Sequence, residues 1–171
     1  VVGTDLHPDS HETIPLYIQC DLSVLANDEE TQKQFQLSVM EFADRQAAEV
    51  NVVINNAAYQ VVKPIGELSA HEFNSSQQVN VIAPFVIASL FEEVLRKSHG
   101  TILNIGSVHS RATKPGFAAY ATSKSGLSGL TRSLAIEFGG DVTVNTIAPG
   151  ATETKMLIDG FSNNPSLLSD L

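Results

Sequence analysis

Tyr120 and Lys124, in the stretch YATSK, place a phenol and an ammonium four residues apart. On a helix, side chains at that spacing lie one above the other on a single face. A phenol ionises near pKa ~10 and a neighbouring ammonium favours the phenolate, so the pair could exchange a proton at neutral pH. Alone, the pair reads first as an exposed helical pair, because tyrosine and lysine fall at helical spacing easily by chance.

Other residues bear on that choice. Ser107 stands 13 residues before Tyr120, behind the apolar run ILNIG. A serine hydroxyl at a strand end can donate to a carbonyl oxygen that a tyrosine at the start of the next helix protonates. Two donors would then converge on one oxygen. Asn80 lies in the apolar helical stretch VNVIAPFVIASLF, close to Pro84. On a buried face it needs partners, so it either holds a water or a backbone carbonyl near the site or marks a kink. His109 and Arg111 follow the serine. Histidine is a common base, but this loop offers no partner acid, and His7, His11, His71 and His99 occupy similarly polar stretches. No pair of histidines has metal-ligand spacing with a third ligand, so no metal is expected.

Further candidates close the apolar runs. Asp5 could accept hydrogen bonds from both hydroxyls of an adenosine ribose and repel a 2'-phosphate, favouring NAD over NADP, or it is a solvated turn residue. Asp21, followed by Leu22, could bond an adenine amino group, although capping the next helix is the simpler role. Asn55, Asn56, Ala57 and Ala58 offer amides that can tie strand ends together and small side chains that let a flat cofactor approach. Pro149 and Gly150 turn the chain after the last strand, and Thr152 and Thr154 can offer groups to an amide such as nicotinamide, or begin a short helix. Tyr59, Val108, His109, Ala151 and residues 155–171 are expected to line a substrate pocket, the last stretch as a lid or a packed surface loop.

These positions need a scaffold. Val- and Ile-rich runs at about 1–5, 16–20, 51–55, 101–106 and 142–147 alternate with helical stretches at roughly 27–48, 69–97 and 117–138. That rhythm predicts an α/β fold with an open, doubly wound parallel sheet, whose ligands bind at the carboxyl ends of the strands. With 171 residues, one Rossmann-like domain spanning the chain is expected.

A net charge of -9 without a Lys and Arg cluster argues against nucleic-acid or anionic-membrane surfaces. Cys20 is the only cysteine, which fits a reducing compartment; with no membrane-length apolar run or leader, the cytoplasm is expected.

Taken together, NNAA at 55–58, Asn80, Ser107, Tyr120-x-x-x-Lys124 and PGATET at 149–154 resemble, in order and spacing, the short-chain dehydrogenase/reductase family. The resemblance runs from residue 1 to about 156. It implies a tetrad in which Tyr120 is the acid/base, Lys124 lowers its pKa and holds the nicotinamide ribose, Ser107 orients the carbonyl or alcohol, and Asn80 supports a relay water. It also implies that Asp5, Asp21, Asn56 and Thr154 bind ribose, adenine, the cofactor-side loop and carboxamide respectively. The substrate would be a small alcohol or ketone and the cofactor NAD.

Ala58 stands where the family usually has Gly, and the glycine-rich turn Thr-Gly-x-x-x-Gly-x-Gly is absent from the sequence. That turn, within roughly 30 residues of strand, turn and helix, is expected before Val1, and the family's final strand and helices after Leu171. Without the turn's strand, those at 1–5 and 51–55 would each lack a neighbour. Two other readings share these residues: a non-catalytic remnant that binds nucleotide weakly or serves assembly, and a nucleotide-sugar epimerase or dehydratase. Long apolar stretches in the helices carrying Asn80 and Tyr120 match the family's subunit interfaces and imply a dimer or tetramer.

Overall fold

In the computed structural model, which describes residues 1–6 and 14–150, the five apolar runs are five strands. They are β1 (Val2–Asp5), β2 (Leu16–Gln19), β3 (Val52–Asn55), β4 (Thr101–Ile105) and β5 (Thr143–Ile147). All pairings are parallel, as expected for a Rossmann-like fold. They form two sheets, β1-β2 and β3-β4-β5. β1 and β3 are both edge strands among the described residues.

The helices are α1 (Leu22–Leu25), α2 (Glu29–Arg45), α3 (Ala70–Gln77), α4 (Ala83–Leu90), α5 (Glu92–Lys97) and α6 (Ala118–Glu137). Local chemistry fixes their starts. Asp28 caps α2 by accepting from Thr31 N–H at 2.7 Å, and Ser69 and Glu72 form a reciprocal capping box on α3. The helix expected over 27–48 is α2, and a break at residues 26–28 separates it from the short α1 before it.

The helix expected over 69–97 is also interrupted. A π-helical turn, Gln78–Ile82, joins α3 to α4, and Phe91 separates α4 from α5. Pro84 follows this turn, and it has no N–H to give the carbonyl of Asn80 four residues earlier.

Register lines up equivalent residues across the larger sheet. Val53, Ile102 and Val144 form one row, and Asn55, Asn104 and Thr146 the next. Ile102 and Val144 are buried, in one core with Phe35 and Val39 of α2, Phe91, and Leu95 of α5. Phe35 and Phe91 meet edge to face with ring centres 6.3 Å apart. On the other face, Val52, Ile54 and Ile147 are 55%, 59% and 52% exposed. The described helices therefore cover one face of this sheet and leave the opposite one open.

Candidate active site

The end of β4 and the start of α6 build the centre of the site. Lys124 is only 2% exposed, and its Nζ donates to the Ile105 carbonyl at 2.7 Å. Burial pulls its ammonium down to about pKa 8. One turn earlier on α6, Tyr120 is 9% exposed, and Lys124 Nζ lies 5.7 Å from its ring centre. Burial pushes the phenol above its usual value, and a hydrogen bond with the Ser107 side chain opposes that rise. The lowering expected from Lys124 does not set the direction here, since its ammonium is turned onto Ile105.

Ser107 follows β4 in extended backbone, and its Oγ accepts from His109 N–H at 3.2 Å. The loop around it is stitched to β5: Gly106 N–H donates to the Ile147 carbonyl at 2.7 Å and Val108 N–H to Pro149 at 3.1 Å. Glycine is required at 106 because an added Cβ would stand 2.6 Å from Thr146 Cγ2. Gly116, at φ +87, makes the turn into α6 and accepts from Lys63 N–H at 3.0 Å.

Asn80 is 1% exposed and its side chain is a latch. Its Oδ1 accepts from Tyr59 N–H at 2.8 Å, and its Nδ2 donates to the Tyr59 carbonyl at 2.9 Å and Ser123 Oγ at 2.8 Å. Ser123 precedes Lys124, so the latch ties the loop after β3 to the helix bearing the pair. Of the two roles open from sequence, the side chain serves the backbone carbonyl.

A second polar chain crosses the covered face of the sheet. Asn55 Nδ2 donates to Asn104 Oδ1 at 2.8 Å, and Asn104 Nδ2 donates to Thr131 Oγ1 at 2.9 Å. Thr131 on α6 also meets Thr146 Oγ1 at 2.7 Å. Asn55 thus ties strand ends, as its position suggested. Asn104, Ser76, Ser123 and Thr131 are the functional supports that sequence reasoning missed. The one usable signal was Asn104, a polar residue centred in an apolar strand.

The remaining candidates are spread over the strand ends. Asn56 and Ala57 are exposed and Ala58 half-buried, just past β3. Asp5 ends β1 and is exposed, while Asp21 caps α1 by accepting from Ser23 N–H at 2.8 Å and Ser23 Oγ at 2.7 Å. Leu22 packs on the main core. Pro149 and Gly150 lie beyond β5, beside the Ser107 loop. Ala151, Thr152, Thr154, residues 155–171, His7 and His11 lie outside the described residues. Among the described residues no helix is long and apolar enough to cross a membrane.

This chain is similar to known proteins along most of its length. A family model described as short chain dehydrogenase matches residues 12–164. The 3-oxoacyl-[acyl-carrier-protein] reductase FabG of Escherichia coli is 34% identical over 121 residues, 70% of this chain and 50% of the relative. The 3beta-hydroxysteroid dehydrogenase 1 of Eggerthella lenta is 36% identical over 117 residues, 67% of this chain and 45% of that one. The chain spans about half the length of these relatives. Among solved structures, a 4-hydroxyisoleucine dehydrogenase mutant complexed with NADH and succinate superposes with a TM-score of 0.80 at 30% identity, covering 99% of this chain and 70% of the other. An alcohol dehydrogenase from Thermococcus sibiricus, complexed with 5-hydroxy-NADP, gives a TM-score of 0.71 at 28% identity over 81% of this chain and 55% of its own.

Proposed function

Because the chain belongs to the short-chain dehydrogenase family, we propose that it carries the reacting centre of a nicotinamide-dependent oxidoreductase acting on a secondary alcohol or its ketone. The observation that supports this best is the buried Tyr120 one helical turn before a lysine held on β4, with the Ser107 side chain near enough to act on its phenol. Hydroxyl groups of neighbouring residues on a strand end and the next helix can both address one substrate oxygen.

The residues present suit a nicotinamide cofactor. The Lys124 ammonium has three donors, of which one is given to Ile105, leaving donors for a ribose. Asn56 and the small Ala57 and Ala58 offer a flat approach beside them, and Asp5, at the end of β1, would favour NAD over NADP. Thr152, Thr154, Pro149 and Gly150 would hold the carboxamide end, and Asp21 with Leu22 the adenine. When bound, the cofactor accepts or supplies the hydride.

The protein's own part is proton handling. Tyr120 takes the hydroxyl proton as an alcohol is oxidised, or returns it to the carbonyl oxygen on reduction, while Ser107 holds that oxygen. Asn80 has spent its side chain on Tyr59 and Ser123, so a relay water would sit on its main-chain carbonyl, to which Pro84 four residues on has no N–H to give.

Two wider expectations belong to the same reading. Ile82 and Phe85, on the helices around Asn80, are 36% and 51% exposed, which supports a homo-oligomer; light scattering that finds only monomer at micromolar concentration would refute it. A cytoplasmic location accords with the single cysteine, Cys20.

Turnover is tested by following NADH absorbance with a panel of secondary alcohols and ketones. Tyr120→Phe should abolish it, and turnover that survives would sink the assigned role. Micromolar NADH binding measured by calorimetry would exclude the remnant reading.

A further inference from the structure

The loop between Ser107 and α6 carries a histidine that proton transfer at Tyr120 does not use. The His109 ring stacks on Phe117 with centres 4.3 Å apart and planes 9° from parallel. It meets Tyr120 edge on, at 5.9 Å between centres. Its Nδ1 is 3.0 Å from Thr113 Oγ1, and its backbone N–H donates to Ser107 Oγ. Three contacts therefore fix the ring, and Nε2 has no hydrogen-bond partner among the described residues. A small substrate touching the Tyr120 hydroxyl is within reach of this imidazole.

Charge says what Nε2 would meet. In a chain of net charge -9, no Asp or Glu occurs between Glu93 and Glu137, and the loop that carries His109 holds Arg111 and Lys114, while Arg96 and Lys97 are paired with acids on α5 and beyond. Lys114 Nζ lies 5.8 Å from the centre of the Phe117 ring on which His109 stacks. The acidic side chain held near this turn, Glu72, is already paired with Lys63 at 2.5 Å. A loop whose charged side chains are all cationic favours anionic ligands.

We propose that His109, backed by Lys114, is a specificity-determining residue that accepts a substrate carboxylate, so that the alcohol or ketone oxidised or reduced at Tyr120 is a small hydroxy or oxo acid. This deepens the oxidoreductase reading and rests on it. Burial and Lys114 both push the His109 pKa down, which keeps the ring neutral. In the tautomer that the proposal requires, the Thr113 hydroxyl donates to Nδ1, and Nε2 carries the proton as a fixed donor to the carboxylate.

The test compares kcat/KM for 3-hydroxybutyrate and 2-butanol, which share a methyl carbinol and differ in the acid. The ratio should favour the acid, fall about 10- to 100-fold in His109→Phe, which keeps the stacking, and be partly restored in His109→Gln. A ratio near one, or one unchanged by His109→Phe, would overturn the proposal. Titrating histidine-labelled protein with 3-hydroxybutyrate should also move the His109 ring resonance by NMR. Movement without turnover on any alcohol would uphold the carboxylate site and reject the oxidoreductase reading, and no movement at saturation would reject the carboxylate site itself.

Discussion

The Lys124 ammonium is bonded to the carbonyl of Ile105 at 2.7 Å, two residues before Ser107. One contact thus locks the helix carrying the phenol to the strand carrying the serine. Removing it as Lys124→Ala leaves a buried carbonyl unpaired and should cost about 1–3 kcal/mol, read as a lower urea midpoint at unchanged slope.

Lys124 should also shape stability against pH. Its pKa is about 8 when folded against 10.5 when unfolded, so between those values the unfolded chain binds more protons. Stability should therefore rise from about pH 8 to 10.5, and Lys124→Met should flatten the rise. Tyr120 acts in the opposite sense above pH 10, because its folded pKa is raised and the folded chain keeps the proton longer. Urea midpoints across that range for wild type, Lys124→Met and Tyr120→Phe check both signs.

Asn80→Ala should release the loop after β3. It strands the Tyr59 N–H and removes one donor each from the Tyr59 carbonyl and Ser123 Oγ, which keep their contacts with Ser76, for a loss of about 1–3 kcal/mol. Amide exchange at Tyr59 should accelerate markedly, and an unchanged exchange rate would contradict the latch.

Gly116→Ala should be costly for a reason that no contact reveals. At φ +87 a side chain adds about 1–2 kcal/mol of strain, and its Cβ would sit 3.2 Å from Val62 Cγ1. A fall in melting temperature is the expected reading. Gly66→Ala, where nothing lies within 4 Å and no positive φ is imposed, is the control and should leave it nearly unmoved.

The sequence carried the strands to within a residue or two, because Val- and Ile-rich runs bounded by polar turns admit few other readings. It did not carry the division of the long helix near Asn80. Pro84 was visible, but the π-helical turn before it has no propensity of its own and depends on how Asn80, Ser76 and Ser123 pack. The same limit hid the supports of the site. Ser107, Tyr120 and Lys124 are recognisable by type and spacing, whereas Ser76, Ser123 and Thr131 are ordinary residues until folding brings them to Asn80 and Asn104. Asp21 shows the converse: position suggested a ligand contact or a cap, and the local serine supplies the cap.

The row Asn55, Asn104 and Thr146, joined through Thr131, fixes α6 to the sheet by directional bonds, where apolar packing alone would tolerate small slips. Residues 108–117 stand apart from that row. Mutational libraries in this loop that spare Gly116 and the rings of His109 and Phe117 packed on Tyr120 should therefore leave the Tyr120 and Lys124 positions in place. For an enzyme engineer, the reactive pair is held by bonds that most of this loop does not share.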